Sequence, residues 1–293
     1  MEEQPLVSVI IPAKNEGRNV VNTLESIRAA ACSTTYEVVV VDDGSEDGCC
    51  QPLAGEARSG ALKVIRTPGL GSAKARNLGA AVARGEILVF CDAHIFVEDH
   101  WLDRLIEPLQ NGTLDAVCPA IAPHDRPSHV SGGFTWDEKL AFTWLPRPAK
   151  LSPAPLLPGG CLAVKKSVFF DIEEFERGFL VWGREDEEIS LKMWLFGYRL
   201  GVHPGVKILH IFRPRHPYRV TWEHVDYNLL RMAYSHFSTG RVARVLELIR
   251  HHPNSQMVAR RVLESDVIDQ RAKYFRRRKR DDDWFFRVFK IPF

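Results

Sequence analysis

Asp92 and His94 stand two residues apart at the end of the apolar run ILVFC. An Asp and a His at that spacing can reach one divalent cation where a chain leaves a strand, because the intervening residue is freed from pairing. One oxygen and one nitrogen donor suit Mn²⁺ or a similar borderline ion; the same two side chains can also simply fix a turn. A third donor is available in HIFRPRHPY, residues 210 to 218, where His210 closes the run GVKIL. A histidine there can equally be a structural hydrogen bonder. Arg213, Arg215 and His216 bring positive charge suited to a phosphate-bearing leaving group. A third cluster, WGREDEEISLKMWLFG at 182 to 197, sets four acidic side chains, Glu185 to Glu188, at the start of a helical pattern. Part of that charge favours the positive end of a helix. Helical spacing turns Asp186 away from Ile189, so one or two carboxylates can face a cleft while Ile189, Met193 and Phe196 face a core. Such a carboxylate can act as general base toward a hydroxyl or thiol, and spacing does not choose which one.

Apolar periodicity gives the elements that must hold these residues. LVSVIIP, residues 6 to 12, is a short apolar run ended by Pro12 and predicts a buried strand. After the polar loop AKNEGRN, residues 18 to 30 place Val20, Val21, Leu24, Ile27 and Ala30 at helical spacing, and YEVVVVDDGS is a second strand closed by turn formers. The order returns with LKVIRTP, a helix over 72 to 84, and GEILVFCDAH. Repeated strand-helix-strand units predict an α/β fold with a mostly parallel central sheet flanked by helices. In such sheets ligands bind beyond the carboxyl ends of the strands, which here read PAKNE, DDGSED and DAH. From Ala122 to Gly160 the chain is rich in Pro and Gly, which predicts long substrate-facing loops and a few strands within the same domain. A helix from about Arg184 to Phe196, a strand over GVKILHIF and mostly helical structure over 221 to 250 complete the expectation.

With 293 residues, 45% hydrophobic and 26% charged, the composition is that of an ordinary globular protein and excludes collagen, coiled coil and full disorder. No run of about 18 apolar residues is present to span a membrane. The start, MEEQPLVSVIIP, is acidic and lacks a secretory pattern, so a cytoplasmic protein is expected. Net charge is +2, but the last 23 residues hold nine basic against three acidic side chains. A basic body that would coat nucleic acid is therefore absent. The tail RAKYFRRRKRDDDWFFRVFKIPF adds Trp284, Phe285, Phe286, Phe289 and Phe293 to its charge. It is expected either to meet an anionic membrane peripherally or to dock on its own domain or a peptide, docking being preferred. Cys32, Cys49, Cys50, Cys91, Cys118 and Cys161 form no C-x-x-C pair and are expected to be small buried side chains rather than disulfides.

Seven segments in order, VSVIIPAKNE, VVVVDDGSED, GSAKARNLGAAVARGEILVFCDAH, GGFTW, PLLPGG, WGREDEEISLKMWLFG and HIFR, resemble the GT-A nucleotide-sugar glycosyltransferases of family two. More closely they resemble the catalytic domain of polypeptide N-acetylgalactosaminyltransferases, over residues 6 to 236. The resemblance implies a GT-A domain over 1–270, with a nucleotide half to about 120, an acceptor and donor-sugar half over about 121–250, and a tail at 271–293. It implies a UDP-sugar donor, a peptide or protein acceptor, and Mn²⁺, or Mg²⁺, held by Asp92, His94 and His210. Pro12, Asp43 and Arg76 would lie on the nucleotide side, Asp43 at the uracil or ribose. Gly159 and Gly160 match the turn that admits the donor sugar. Trp182, Gly183 and Glu185 match the W-G-x-E loop beside sugar and acceptor. Arg213 would face the diphosphate, and Tyr218 matches the tyrosine of a nearby mobile loop.

Three departures carry weight. Lys14 stands where family-two uracil pockets often have an aromatic residue. The lectin domain and membrane anchor of the animal transferases are not in this sequence, which implies a bacterial-type cytoplasmic enzyme. Asp186 replaces the Asn of the retaining peptide transferases' W-G-G-E-N, and W-G-x-E-D resembles inverting β-galactosyltransferases and chondroitin polymerases. Inversion with Asp186 as base is therefore expected. The alternatives are retention as in the peptide transferases, a saccharide or lipid-linked acceptor, and a non-catalytic nucleotide-sugar or peptide binding module. A nucleotidyltransferase would be expected to carry G-x-G-x-R after the first strand, where this chain has PAKNEGRN.

Overall fold

A computed structural model describes residues 4–59 and 62–293. The first half alternates strands and helices: β1 (Val7–Ala13), α1 (Asn19–Ala29), β2 (Tyr36–Asp42), β3 (Leu62–Arg66), α2 (Ser72–Val82) and β4 (Ile87–Cys91). β5 (Ile95–Phe96), α3 (Trp101–Gln110), β6 (Ala116–Pro123), β7 (Ser131–Trp136), β8 (Phe142–Pro146), β9 (Ser152–Pro153), β10 (Cys161–Lys165) and α4 (Lys166–Asp171) follow. The last part holds α5 (Glu185–Phe196), β11 (Leu200–His210), α6 (Trp222–His236), α7 (Thr239–Ile249), α8 (Ser255–Leu263), α9 (Val267–Arg277) and α10 (Asp282–Val288).

The sheet runs β3-β2-β1-β4-β10-β6-β11-β5, with the β7–β8 hairpin off β6 and β9 off β11. Both of its faces are covered, which is why VVVV and ILVFC read as unbroken apolar runs rather than alternating ones. Ile10, Val39 and Val41 face α2, α5 and α6, whereas Val9, Ile11, Val38 and Val40 face α1 and α3. The strands β3, β2, β1 and β4 are parallel, as expected. β10 instead runs antiparallel to both β4 and β6, because the chain re-enters the sheet from the loops at the carboxyl ends of the parallel strands. That direction sets the start of β10, Gly159–Gly160–Cys161, beside the end of β4.

β11 differs from the strand expected over 205 to 212. It begins at Leu200 and passes through Pro204 and Gly205 with a register shift between His203 and Lys207. The bulge absorbs the turn-forming residues that make the sequence look broken there.

Residues 271–293, for which docking is preferred to a membrane role, pack into the same core as the rest. Tyr274, Phe285, Phe286 and Phe293 are buried. Trp136 stacks on Phe286 with ring centroids 6.0 Å apart and meets Phe237 and Phe285 edge-on. Three of the basic residues are occupied too: Arg277 pairs with Glu173 and Asp171, Arg278 bonds the His236 carbonyl, and Arg280 lies over Trp284. The aromatic row that suggested a membrane surface thus has its largest faces inside the domain, where burial removes more apolar area from water. Among the described residues no helix is long and apolar enough to cross a membrane. All six cysteines are free thiols, five of them buried.

Candidate active site

β4 ends at Cys91, so Asp92 and His94 leave the sheet at its carboxyl edge, and His210 is the last residue of β11. The short strand β5 pairs Ile95 with His210, which brings the two ends together across the intervening chain. One ligand atom each from Asp92, His94 and His210 lies within 4.8 Å of the others, and the two imidazole centroids are 4.6 Å apart. Asp92 Oδ1 accepts from Arg76 Nη2 at 2.8 Å, and Asp92 Oδ2 lies 3.2 Å from His210 Nε2. Burial works to raise the Asp92 carboxyl, but the His210 bond and the positive charge of Arg76 hold it well below the usual range. An anionic oxygen with two imidazole nitrogens is a donor set suited to Mn²⁺.

Two further observations fit a cation. His210 Nε2 is the nitrogen that faces Asp92, and His94 Nδ1 is taken by Glu16 and Arg213, which leaves the His94 Nε2 for an ion. A Cβ on Gly160 would come within 3.2 Å of the His210 ring and 3.7 Å of Asp92 Oδ2, so the bare glycine keeps the space between the ligands open. Gly160→Ala is accordingly expected to weaken Mn²⁺ binding about 10-fold or more, read by calorimetric titration, with the thermal midpoint little changed. Unchanged affinity would remove the glycine from the metal site.

Across the Gly159–Gly160 turn lies the N-terminus of α5. Gly183 at φ +103° and Arg184 at φ +71° make the bend that aims the first helical turn at the sheet edge, and only glycine takes such angles without steric cost. Glu185 is buried and fully engaged: Oε1 accepts from the Ser72 hydroxyl at 2.5 Å and lies 3.4 Å from Arg76 Nη1, and Oε2 accepts from the Gly183 amide at 2.8 Å. Asp186 is held by backbone amides alone, its Oδ1 accepting from the Glu187 amide at 3.0 Å. Its Oδ2 accepts from the Gly159 amide at 3.2 Å, and a Cβ on Gly159 would sit 3.3 Å from the Asp186 Cβ. Desolvation, then the charges of Glu185 and Glu187, push the Asp186 carboxyl up to about 7. A carboxylate with that value is matched to proton abstraction near neutral pH.

The remaining predicted residues fall into two groups. Pro12 sits in β1 opposite Val41, and Asp43 is buried beyond β2. Both Asp43 oxygens hold the loop before α2, Oδ1 accepting from the Thr67 hydroxyl and the Leu70 amide and Oδ2 from the Gly71 amide. Lys14, in the place of the usual aromatic residue, donates to the Asp43 carbonyl and lies 5.8 Å from the centroid of the Tyr218 ring. The segment after β11 folds over this edge: His216 packs on Trp182 with centroids 4.2 Å apart, and burial pushes the Tyr218 hydroxyl up. Arg213 does not stand free. Its Nη2 donates to both oxygens of Glu16 at 2.8 and 2.9 Å and lies 2.8 Å from His94 Nδ1.

Three residues of this site were not singled out from the sequence. Glu16, buried, orients His94 and Arg213; Ser72 links Arg76 to Glu185; Asn15 bonds the Pro217 carbonyl and so ties the overlying segment down. The one local signal was the polar PAKNE at a strand end, which contains two of them.

Residues 8–169 match the family described as glycosyl transferase family 2. The chain belongs to that family. Residues 148–217 of this family 2 protein also match the N-terminal domain of galactosyltransferase. It is 31% identical over 256 residues to polypeptide N-acetylgalactosaminyltransferase 11 of Xenopus tropicalis, covering 78% of this chain and 42% of the relative. It is 29% identical over 283 residues to polypeptide N-acetylgalactosaminyltransferase 10 of Homo sapiens, covering 83% and 47%. The chain thus spans less than half the length of these relatives. Its structure resembles a crystal structure of GalNAc-T7 with UDP, GalNAc and Mn²⁺ at a TM-score of 0.77 and 21% identity, covering 99% of this chain and 57% of that one. A mannosyltransferase from Pyrobaculum calidifontis in complex with GDP-Man and Mn²⁺ gives a TM-score of 0.57 at 22% identity, over 90% of this chain and 76% of that one. The fold of the family 2 protein is therefore GT-A.

Proposed function

We propose that this family 2 protein transfers a sugar from a UDP-sugar to a hydroxyl or thiol of a peptide or protein side chain, with inversion. The observation that carries the reading is that Asp186 and the Asp92–His94–His210 cluster flank one two-glycine turn. Gly159 donates to Asp186 at 3.2 Å, while the Gly160 carbonyl accepts from the Asp92 amide at 3.1 Å. Asp92, His94 and His210 are the residues that would hold Mn²⁺ or Mg²⁺. Such an ion, when bound, offsets charge on a departing diphosphate as a Lewis acid. Arg76 keeps Asp92 ionised and oriented. Asp186 accepts the acceptor proton as the acceptor oxygen or sulfur bonds to the anomeric carbon and the bond to the UDP oxygen breaks. The Gly159 and Glu187 amides each hold one Asp186 oxygen, which orients the carboxylate and leaves a lone pair on each oxygen to take the proton.

A peptide acceptor is supported by the names of the relatives and by an aromatic wall next to the metal cluster. Phe212, 48% exposed, lies 4.3 Å from His210 between ring centroids, and with Trp144 it lines a cavity of about 290 Å³. Retention, which the resemblance to the peptide transferases implies, is the competing stereochemistry; a saccharide or lipid-linked acceptor is the competing substrate. The relatives reported are animal proteins and lend no support to a bacterial-type cytoplasmic enzyme.

The test is UDP release from UDP-glucose, UDP-galactose, UDP-GlcNAc and UDP-GalNAc, each with Mn²⁺ or EDTA. Release from one donor, abolished by EDTA, is the expected result, and the anomeric configuration of the product by NMR separates inversion from retention. No release and no thermal stabilisation by any donor would point to the binding-module reading or to a different nucleotide.

A further inference from the structure

Cys91 and Cys161 are not two unrelated core residues. They stand directly opposite one another on the antiparallel strands β4 and β10, both fully buried, with Sγ atoms 3.9 Å apart. The next pair along, Asp92 and Gly160, shares a backbone hydrogen bond of 3.1 Å. Bonded and non-bonded pairs alternate in an antiparallel ladder, so Cys91 and Cys161 form the non-bonded kind, whose Cα atoms approach to about 4.5 Å. That falls within the roughly 4.4–6.8 Å over which a disulfide closes, and side-chain rotation suffices to bring the sulfurs to about 2.05 Å.

We propose that Cys91 and Cys161 form a cross-strand disulfide when the chain folds in the presence of a disulfide oxidant such as glutathione disulfide. One cysteine thiolate attacks glutathione disulfide, giving a mixed disulfide and releasing one glutathione. The other cysteine attacks the protein sulfur of that mixed disulfide and releases the second glutathione. Two cysteines are oxidised, one glutathione disulfide is reduced, and the two thiol protons end on the glutathiones. Because both sulfurs are shielded in the finished fold, the attack on glutathione disulfide takes place before β10 docks on β4, the second attack follows as the strands pair, and the bond is afterwards protected. It staples the strand ends that carry Asp92 and Gly160. The other close pair, Cys49 and Cys50 at 3.7 Å, consists of adjacent residues and has no such strand geometry.

The experiment refolds the full chain in an oxidising glutathione buffer, alkylates the remaining thiols and digests without reduction. The expected result is four alkylated cysteines, a linked Cys91–Cys161 peptide two hydrogens lighter than its parts, and a Tm that falls by about 5 °C or more on reduction. Cys161→Ala should abolish the Tm response to reductant, whereas Cys118→Ala should keep it. Six alkylated thiols, or a linkage found only between Cys49 and Cys50, would overturn the proposal. The readout is covalent and independent of any sugar donor. A linked pair in protein isolated from its source would also place the chain in an oxidising compartment, against the expectation of a cytoplasmic one.

Discussion

Asp186→Asn is expected to lower kcat for sugar transfer by about 100- to 10,000-fold while UDP-sugar affinity changes by less than about twofold. Asparagine keeps the shape of the side chain and can still accept from the Gly159 amide, so binding geometry is preserved and only proton acceptance is lost. In the wild-type protein, transfer should rise with pH through about 7 as Asp186 is deprotonated, a limb that the Asn variant should lack. The same raised carboxyl makes a second, independent statement about stability. A carboxyl held above its ordinary value stabilises the fold in its protonated form; that contribution is complete below the ordinary carboxylate range and is lost as pH rises through about 7. At pH 8 the wild type therefore holds an unfavourable half-buried charge beside Glu185 and Glu187 that the Asn variant does not. Its Tm at pH 8 should exceed the wild-type value, by about 2–4 °C for each kcal/mol regained, with the difference shrinking toward pH 4. A kcat near wild type would end the assignment of Asp186 as base and favour retention.

Truncation before Val267 is expected to leave a chain that does not fold cooperatively. The removed residues supply Val267, Tyr274, Phe285, Phe286, Ile291 and Phe293 to the buried core. Phe285→Ala alone should cost about 3–5 kcal/mol in urea unfolding, because Phe285 is fully buried against Trp136 and Phe289. The loss should reach the catalytic edge as well. Trp136, against which Phe285 and Phe286 pack, donates from Nε1 to Glu187 Oε1 at 3.1 Å, and Arg184 Nη1 meets the same oxygen at 2.9 Å. Glu187 is the neighbour of Asp186 and one source of its raised proton affinity. The Phe285→Ala protein should therefore show a shifted pH profile at temperatures where it remains folded. A truncated chain with a wild-type Tm would overturn the docking account, and selective binding of the full chain to anionic vesicles would revive a membrane role for the exposed basic residues.

Much of this architecture is written locally. The runs VSVIIP, VVVVDD and ILVFC are continuous because each lies in a sheet covered on both faces, and their polar ends mark where strands give out at the ligand edge. Asp92 and His94 are legible for the same reason: a strand end fixes both side chains within two residues. The helical period from Arg184 to Phe196 is also visible, although nearly every side chain of α5 is buried, including Lys192, which pairs with Glu188 at 3.2 Å. Period alone offered a single apolar face there, since it does not report that a helix is enclosed on all sides.

Other features have no local signature. Arg213 has the charge to meet a phosphate, yet in the fold its guanidinium is engaged by Glu16, almost two hundred residues earlier. Asp43 has carboxylate oxygens suited to a ribose, yet both hold the Thr67–Gly71 loop. Phe285 and Phe286 have the character of membrane anchors, yet they find Trp136. The sequence by itself determined the periodicities, the strand ends and the types of donor they present, because each depends on neighbours within a few positions. Only the tertiary structure decided which charges meet, which aromatic faces are covered and which thiols stand opposite, because those outcomes depend on chain segments that sequence spacing leaves free to lie anywhere.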